Sequence, residues 1–523
     1  MRDSTPPWAA AIRHGAADAL WRLVRVGGRW RVLTFALTMC LMLALLTAAE
    51  VARHHGSTAT AGPSAHPLVQ DELTARDPHA SPDAQKVDDL LTSLEKSARA
   101  GKPAGTVLGQ HVELHNELYN PLYGDRSGLK RPGYYYQRVD QLTGRLPGFV
   151  ETDLGPGYGG KGWGVGSPQV ADEGGWPSCQ PLWQYTDDAV ELLQGVWSGL
   201  PRAADGSAYT GGTVPNCDGS TTTMPDNGGQ PAGIVGMSFH EPYPGSPVKS
   251  FDQVFCRNSP QAHDPGWFAR VIDYQHDTPE YRALLTDLSY LADHLAYLAR
   301  YDVPVLLRPY HEMNAPSCAT GFWWAGQPPQ EYQALWRIMY NYLVNTRGLH
   351  NLIFVWAPSA WDGVHGTTPW AYYPGDQYVD VVGVDDYSDT PAAPTPAVRT
   401  TASRTPASRT TAAAAGGRTP ASGAPAAAWT QEWYDGLAPL GKPRIMAESF
   451  HVPVNSYQPD TLTRTPWVLW SLWGQAATQH NLTAPTGQNT VADLRLSYDS
   501  PLALTGGSAA YGATYDWAAL HTK

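Results

Sequence analysis

The sequence predicts an α/β fold, a (β/α)8 TIM barrel with long loop insertions and an N-terminal signal or anchor segment, on three observations. Eight short β-rich runs recur along the chain, amphipathic helical patterns separate several of them, and polar residues gather at the ends of the runs. Buried strands alternating with one-faced helices specify a parallel sheet, and eight such units specify a closed barrel.

The runs are "TVLGQHV" near 106, "PGFVETDL" near 147, "GIVGMSFH" near 233, "PVLLRPYHE" near 304, "LIFVWAPS" near 352, "DVVGVDDY" near 380, "RIMAESF" near 444 and "VLWSLWGQ" near 468. Between the third and fourth, Leu284, Leu288, Leu291, Leu295 and Leu298 fall at spacings of four and three, one apolar helical face within Tyr281 to Arg300. Tyr332, Leu335, Met339 and Tyr342 repeat that spacing after the fourth run, and Gly348 stands where a helix stop is expected. The barrel is therefore expected over 103–523. Within it, Tyr158 to Pro231 reads as loop decoration after the second strand. The Thr/Pro/Ala/Arg segment 391–428 has four arginines and no acids, and reads as a disordered insertion after the sixth strand.

Ahead of the barrel lie a basic region 1–31, an apolar segment 32–49 and a stalk with a lead-in helix over 50–102, whose amphipathic part is "VDDLLTSLEKSA". Val32 to Ala49 is 18 residues without a charge, preceded by six arginines. Its length lies between a signal-peptide apolar region and a membrane span, and both readings stay open. Positive charge before it keeps that side cytoplasmic and sends the rest outward, so the expected location is extracellular, secreted or anchored to the outer face of the membrane. Cys179, Cys217, Cys256 and Cys318 then sit in an oxidising compartment, where an even count favours two disulfides in one of three connectivities. No Cys-x-x-Cys or clustered His spacing supports a metal site.

Composition narrows the partners. The net charge is -12, from 48 acidic and 36 basic residues, whereas a nucleic-acid partner calls for a basic face. Trp numbers 20 and Tyr 27 against Phe 9, a choice of rings with a polar edge that suits a wet aromatic cleft. No nucleic-acid partner is expected, and membrane contact is expected only through the N-terminal segment.

Active sites of such barrels lie at the C-terminal strand ends. The polar residues there are Asp153, His240, His311 with Glu312, Asp385 with Tyr387, and Glu448, with Trp473 near the end of the eighth. Glu312 and Glu448 end strands four and seven, across the barrel mouth from each other, so their carboxylates can flank one bond. Paired carboxylates of this kind perform retaining glycoside hydrolysis, one as general acid/base and the other as nucleophile. Glu312, beside Trp323 and Trp324, has the aromatic setting that raises a carboxyl pKa, as the acid requires. Arg308 reads as either a structural ion pair or a contact that orients the nucleophile. Trp323, Trp324 and Trp473 read as either packing or sugar platform, and strand alternation gives Asp385 and Tyr387 the same face.

"RPYHEMN" followed by "GFWWAG", with "IMAES", "GVDDY", "MSFHEP" and "GQHVE", resembles the family-26 glycoside hydrolases over about 103 to 523. The resemblance implies a retaining (β/α)8 enzyme in which Glu312 is acid/base, Glu448 is nucleophile, Tyr387 positions the nucleophile and His240 binds substrate. Arg308, His311, Asp385, Trp323, Trp324 and Trp473 complete the expected substrate-binding set. The activity implied is that of an endo-acting β-glycanase, first an endo-β-1,4-mannanase acting on mannan or galactomannan, a monomer with a β-linked polysaccharide as its partner and no cofactor. Mixed-linkage β-glucanase and β-1,3-xylanase activities stand beside it within the same family. A non-catalytic carbohydrate-binding cell-surface protein is the alternative of another class.

Overall fold

A computed structural model describes residues 77–112, 133–154, 182–199, 213–215, 221–223, 230–247, 251–315, 317–360, 369–387, 430–456, 458–474, 489–507 and 512–522. The chain divides into Met1–His66 and Pro67–Lys523. The first unit lies outside the described residues, as do Val32–Ala49, the 391–428 insertion, Cys179 and Cys217. Among the described residues no helix is long and apolar enough to cross a membrane.

Eight parallel strands close into a barrel: β1 Thr106–Val112, β2 Phe149–Leu154, β3 Ile234–Phe239, β4 Val305–Pro309, β5 Leu352–Trp356, β6 Val381–Asp385, β7 Arg444–Ser449 and β8 Leu469–Leu472. Each pairs with the next, and β8 returns to β1 through Val107 opposite Leu469 and Gln110 opposite Leu472. All eight fall on the runs expected from the sequence. Every residue of these strands is buried, as befits strands that face a core on the inside and helices on the outside. At the base of the barrel the Phe149 ring lies between β1 and β3. Only glycine fits at Gly109 and Gly236, where a Cβ would come within 2.6 and 2.5 Å of that ring.

The outer helices follow their apolar spacing. α1, Pro82–Arg99, starts at Ser81, whose hydroxyl accepts from the Ala84 amide, with Pro82 in the first turn. It buries Val87, Leu90, Leu91 and Leu94. Its Glu95 accepts from the guanidinium of Arg444 at 2.9 Å, so the helix is tied to the first residue of β7. α2 is Gly133–Thr143 and α3 is Leu182–Ser198. The latter lies inside the stretch read from sequence as loop decoration. It is the barrel helix between β2 and β3, because Val190, Leu193 and Trp197 form a stripe buried in the core. α4, Pro279–Arg300, is capped by Thr278 and buries Leu284, Leu288, Leu291, Leu295 and Leu298. α5, Pro329–Tyr340, continues as a π-turn to Thr346, and Gly348 stops it with φ +66°. α6 is Gln431–Leu437 and α7 is Val491–Tyr498. Connections from β5 to β6 and from β7 to β8 use only short turns in their described parts, 3-10 turns in the first and the four-residue helix Thr461–Arg464 in the second.

Candidate active site

Strand alternation points Glu151 and Asp153 of β2, Ser238 of β3, Arg308 of β4 and Asp385 of β6 into the upper barrel, where buried polar groups satisfy one another. Arg308 is the centre of this set. Its Nε donates to Glu151 Oε1 at 2.9 Å and its Nη1 to Asp385 Oδ2 at 3.0 Å, while its Nη2 donates to Glu448 Oε1. Burial alone would favour the neutral arginine, but the charges of Asp385, Glu151 and Glu448 outweigh it and hold the guanidinium firmly protonated. One guanidinium cannot neutralise three carboxylates, so some of them stay protonated. Burial pushes Glu151 up to about 7 and Asp385 well above the usual carboxylate range, against the pull of Arg308.

Glu448 reaches this cluster through an irregularity in β7. The register against β6 shifts between Met446 and Glu448, and against β8 between Met446 and Ser449. A bulge of this kind re-aims a side chain at a strand end. The second oxygen of Glu448 accepts from the hydroxyl of Tyr387, just beyond β6. Burial and the Glu448 charge raise the Tyr387 phenol well above its ordinary range, so it remains a donor.

Glu312 sits three residues beyond β4 in a backbone turn where Tyr310 and Glu312 itself have φ of 49° and 55°. A left-handed conformation at a glutamate is costly and persists where its surroundings fix it. Here the Glu312 amide donates to Ala357 O at 2.9 Å, Trp324 Nε1 to His311 O at 2.7 Å and the Tyr332 hydroxyl to Tyr310 O at 3.0 Å. Burial first and the charge of Glu448 second raise the Glu312 carboxyl to about 7.

Both glutamates line one cavity of about 290 Å³ with His240, His311, Ser359, Tyr387 and Trp473, and with three phenylalanines, Phe255, Phe322 and Phe450. His240 is held by Asp153, whose Oδ2 lies 2.6 Å from Nδ1. Burial works against a charged imidazole, yet the Asp153 charge and hydrogen bond raise its pKa. Burial, with Arg308 and His240 nearby, keeps His311 neutral. Trp473 stacks on His111 at 4.3 Å.

Of the ten residues in the expected catalytic and substrate-binding set, six line this cavity: Glu312, Glu448, His240, His311, Tyr387 and Trp473. Arg308 and Asp385 lie beneath it, bonded to each other. Trp323 and Trp324 are 0% exposed, their indole N–H groups bonded to the carbonyls of Glu241 and His311, so they are wall and not platform. The ring of that run that faces the cavity is Phe322. Cys256 and Cys318 form a disulfide that joins the loop after β3 to the loop after β4. Sequence reading missed Glu151, which alternation with Asp153 could have found, and Phe255, Phe450 and Ser359, which sit in loops that carry no periodic signal.

Ligand atoms of His311, Asp385 and Glu448 approach within 4.8 Å of one another. The positive charge at that point is already supplied by Arg308, which bonds both carboxylates, so the donor set does not fit a resident cation.

Residues 222–427 match the family model described as Glycosyl hydrolase family 26. That segment carries Glu312 and Tyr387 and ends before β7. Mannan endo-1,4-beta-mannosidase of Bacillus subtilis (strain 168) is 33% identical over 180 residues, 33% of this chain and 44% of that protein. The enzyme named mannan endo-1,4-beta-mannosidase A and B of Caldalkalibacillus mannanilyticus is 38% identical over 124 residues, 22% of this chain and 23% of that one. The chain thus spans less than half the length of these curated relatives. A solved ruminal GH26 endo-beta-1,4-mannanase superposes with a TM-score of 0.51 at 21% identity, over 86% of this chain and 72% of that one, a likeness of fold.

Proposed function

We propose that the protein is a retaining, endo-acting β-glycanase of glycosyl hydrolase family 26 that hydrolyses β-1,4-mannan, a reading supported by the match of residues 222–427 to that family's model. The observation that carries this reading is the pairing of Glu312 and Glu448 across one cavity, one carboxyl raised to about 7 and the other anchored by Arg308 and Tyr387. A carboxyl that stays protonated near neutral pH can give its proton to a leaving glycosidic oxygen. A carboxylate fixed at both oxygens can attack the anomeric carbon without reorienting. Glu448 forms the glycosyl-enzyme bond while Glu312 protonates the departing sugar, and Glu312 then takes a proton from the water that releases the product.

In this reading His240, His311, Trp473 and the three phenylalanines contact sugar, while Arg308 and Asp385 act from below on Glu448. Mannan as substrate rests on the names of the relatives. The test is reducing-end release from mannan, galactomannan, mixed-linkage glucan and β-1,3-xylan by the chain from Ala52 onward. Activity on mannan should fall on the order of 10⁴-fold in Glu448→Ala. Hydrolysis of only one of the other glycans would replace the substrate. Glycan binding with no hydrolysis would make this a carbohydrate-binding protein.

The protein also acts outside the cell, as a monomer, with Val32 to Ala49 serving as a cleaved signal or as an anchor. The support is that run and the arginines before it. Recovery of all the protein from the cytosol of expressing cells would sink the export reading, and a solution mass above that of one 56.7 kDa chain would sink the monomer.

A further inference from the structure

His111 stands next to last in β1 and is fully buried behind the cavity, yet it reaches two of the side chains that line it. Its imidazole lies nearly flat against the Trp473 indole, 4.3 Å between centroids and 21° between planes. On its other side, Nε2 lies 3.3 Å from Ser238 Oγ, and the Ser238 hydroxyl donates to Asp153 Oδ1 at 3.1 Å. Asp153 in turn holds His240, whose backbone amide donates to Oδ1 at 3.2 Å and whose Nδ1 lies 2.6 Å from Oδ2. One run of contacts through β1, β3 and β2 therefore joins Trp473 to His240 from behind.

The hydrogens of this run have fixed directions. The ionised carboxylate of Asp153 only accepts, so it takes both the Nδ1–H of His240 and the O–H of Ser238. The serine has one hydrogen and spends it there, so its oxygen accepts from His111, whose proton then sits on Nε2. Burial and the Arg308 charge, against the pull of Asp153, keep His111 neutral, which leaves it a single N–H to place. Its buried Nδ1 has no hydrogen-bond partner among the described residues. With the proton on Nε2 that position is a bare lone pair, and no N–H is left unmet.

We propose that His111 and Ser238 are positioning residues for the cavity wall: Ser238 locks the His111 ring in the orientation that backs Trp473, and the same serine steadies the Asp153 carboxyl that holds His240. The inference deepens the reading of this cavity as a glycan site and rests on that reading for its catalytic meaning. Rotation of an imidazole about its last side-chain bond is only weakly restricted by its own torsion. Stacking on an indole requires the two planes to stay nearly parallel, so the bond at Nε2 supplies the restraint. Ser238 does not itself line the cavity, and its effect on Trp473 travels through His111.

The experiment is ¹⁹F NMR of the protein carrying fluorotryptophan, with the Trp473 signal identified as the one lost in Trp473→Phe. Ser238→Val and Ser238→Thr have the same shape and differ only in the hydroxyl. The Trp473 signal should shift or broaden in Ser238→Val, where His111 loses its acceptor, and keep its wild-type position in Ser238→Thr. If the valine variant does not fold, Ser238→Ala against wild type decides in the same way. Equal Trp473 signals with and without the hydroxyl overturn the inference. So does a shift of the tryptophan signals as a whole, which would mean a merely structural serine whose loss loosens the barrel. A second readout is the ring ¹⁵N spectrum of labelled histidine, in which the signals lost in His111→Gln should report a proton on Nε2; a proton on Nδ1 overturns the chain. Neither spectrum needs turnover, so a wild type inactive on every glycan would refute the proposed activity and leave these results standing. With activity present, kcat/KM should fall in Ser238→Val and be rescued in Ser238→Thr.

Discussion

Arg308 donates to three carboxylates from three strands, Glu151, Asp385 and Glu448, and all four residues are buried. Lysine at 308 keeps the charge but not the planar fork, so it cannot serve three acceptors in fixed directions. Arg308→Lys should cost about 3–5 kcal/mol in chemical unfolding, because carboxylates are left buried without partners. A loss within experimental error would show that the cluster adapts. Protonation at this scale has two further consequences. Glu312 titrates at about 7, so kcat/KM should fall as pH rises through about 7, where the acid form is lost. A profile flat to pH 9 would contradict that role. Glu151 is raised from the ordinary 4.5 to about 7, so its protonation contributes stability that is present below about 4.5 and lost as pH rises to about 7. Thermal melts of Glu151→Gln should therefore depend less on pH across that window than wild type, and an unchanged dependence would contradict it. Glu312 and Glu448 were legible in the sequence because an apolar strand leads into each. Trp323 and Trp324 misled because a loop position says nothing of whether a ring turns inward, and here carbonyls at Glu241 and His311 claim both indoles.

At the scale of elements, the two cavity carboxylates depend on local departures from regular structure. Glu448 follows a register shift in β7, and Glu312 occupies a left-handed backbone position beyond β4. Neither departure has a sequence signature, since no glycine marks the turn at Tyr310 or Glu312. The strands themselves were legible from their apolar runs and α4 from its leucine spacing. α3 was not, because its apolar positions are diluted by Thr, Asp and Gln and it stands amid Gly-rich chain. The Cys256–Cys318 disulfide ties together the loops that present Phe255 and Phe322, with the Cys256 amide donating to Gly321 O at 3.0 Å. It closes a span of 62 residues, so Cys256→Ser with Cys318→Ser should lower stability by about 2–4 kcal/mol. KM for polymer should rise with it, because both loops line the cavity. Equal melting temperatures for the variant and wild type would show that backbone bonds alone hold these loops.

For the whole molecule, the barrel places function at one end and stability at the other. α1 binds the foot of β7 through Glu95 and Arg444, while the head of the same strand carries Glu448. The fold class was legible because it depends only on the number and alternation of elements. The rest of the cavity lining was not, since Phe255, Phe450 and Ser359 sit in loops whose placement follows from tertiary contacts. The proposed chemistry is two carboxylates acting on one bond by double displacement. The most direct test is the anomeric form of the first product released from a β-1,4-mannooligosaccharide, followed by ¹H NMR before mutarotation. Double displacement gives the β-anomer first and the α-anomer only later. Initial release of the α-anomer would mean a single displacement by water, and would contradict the assignment of Glu448 as nucleophile.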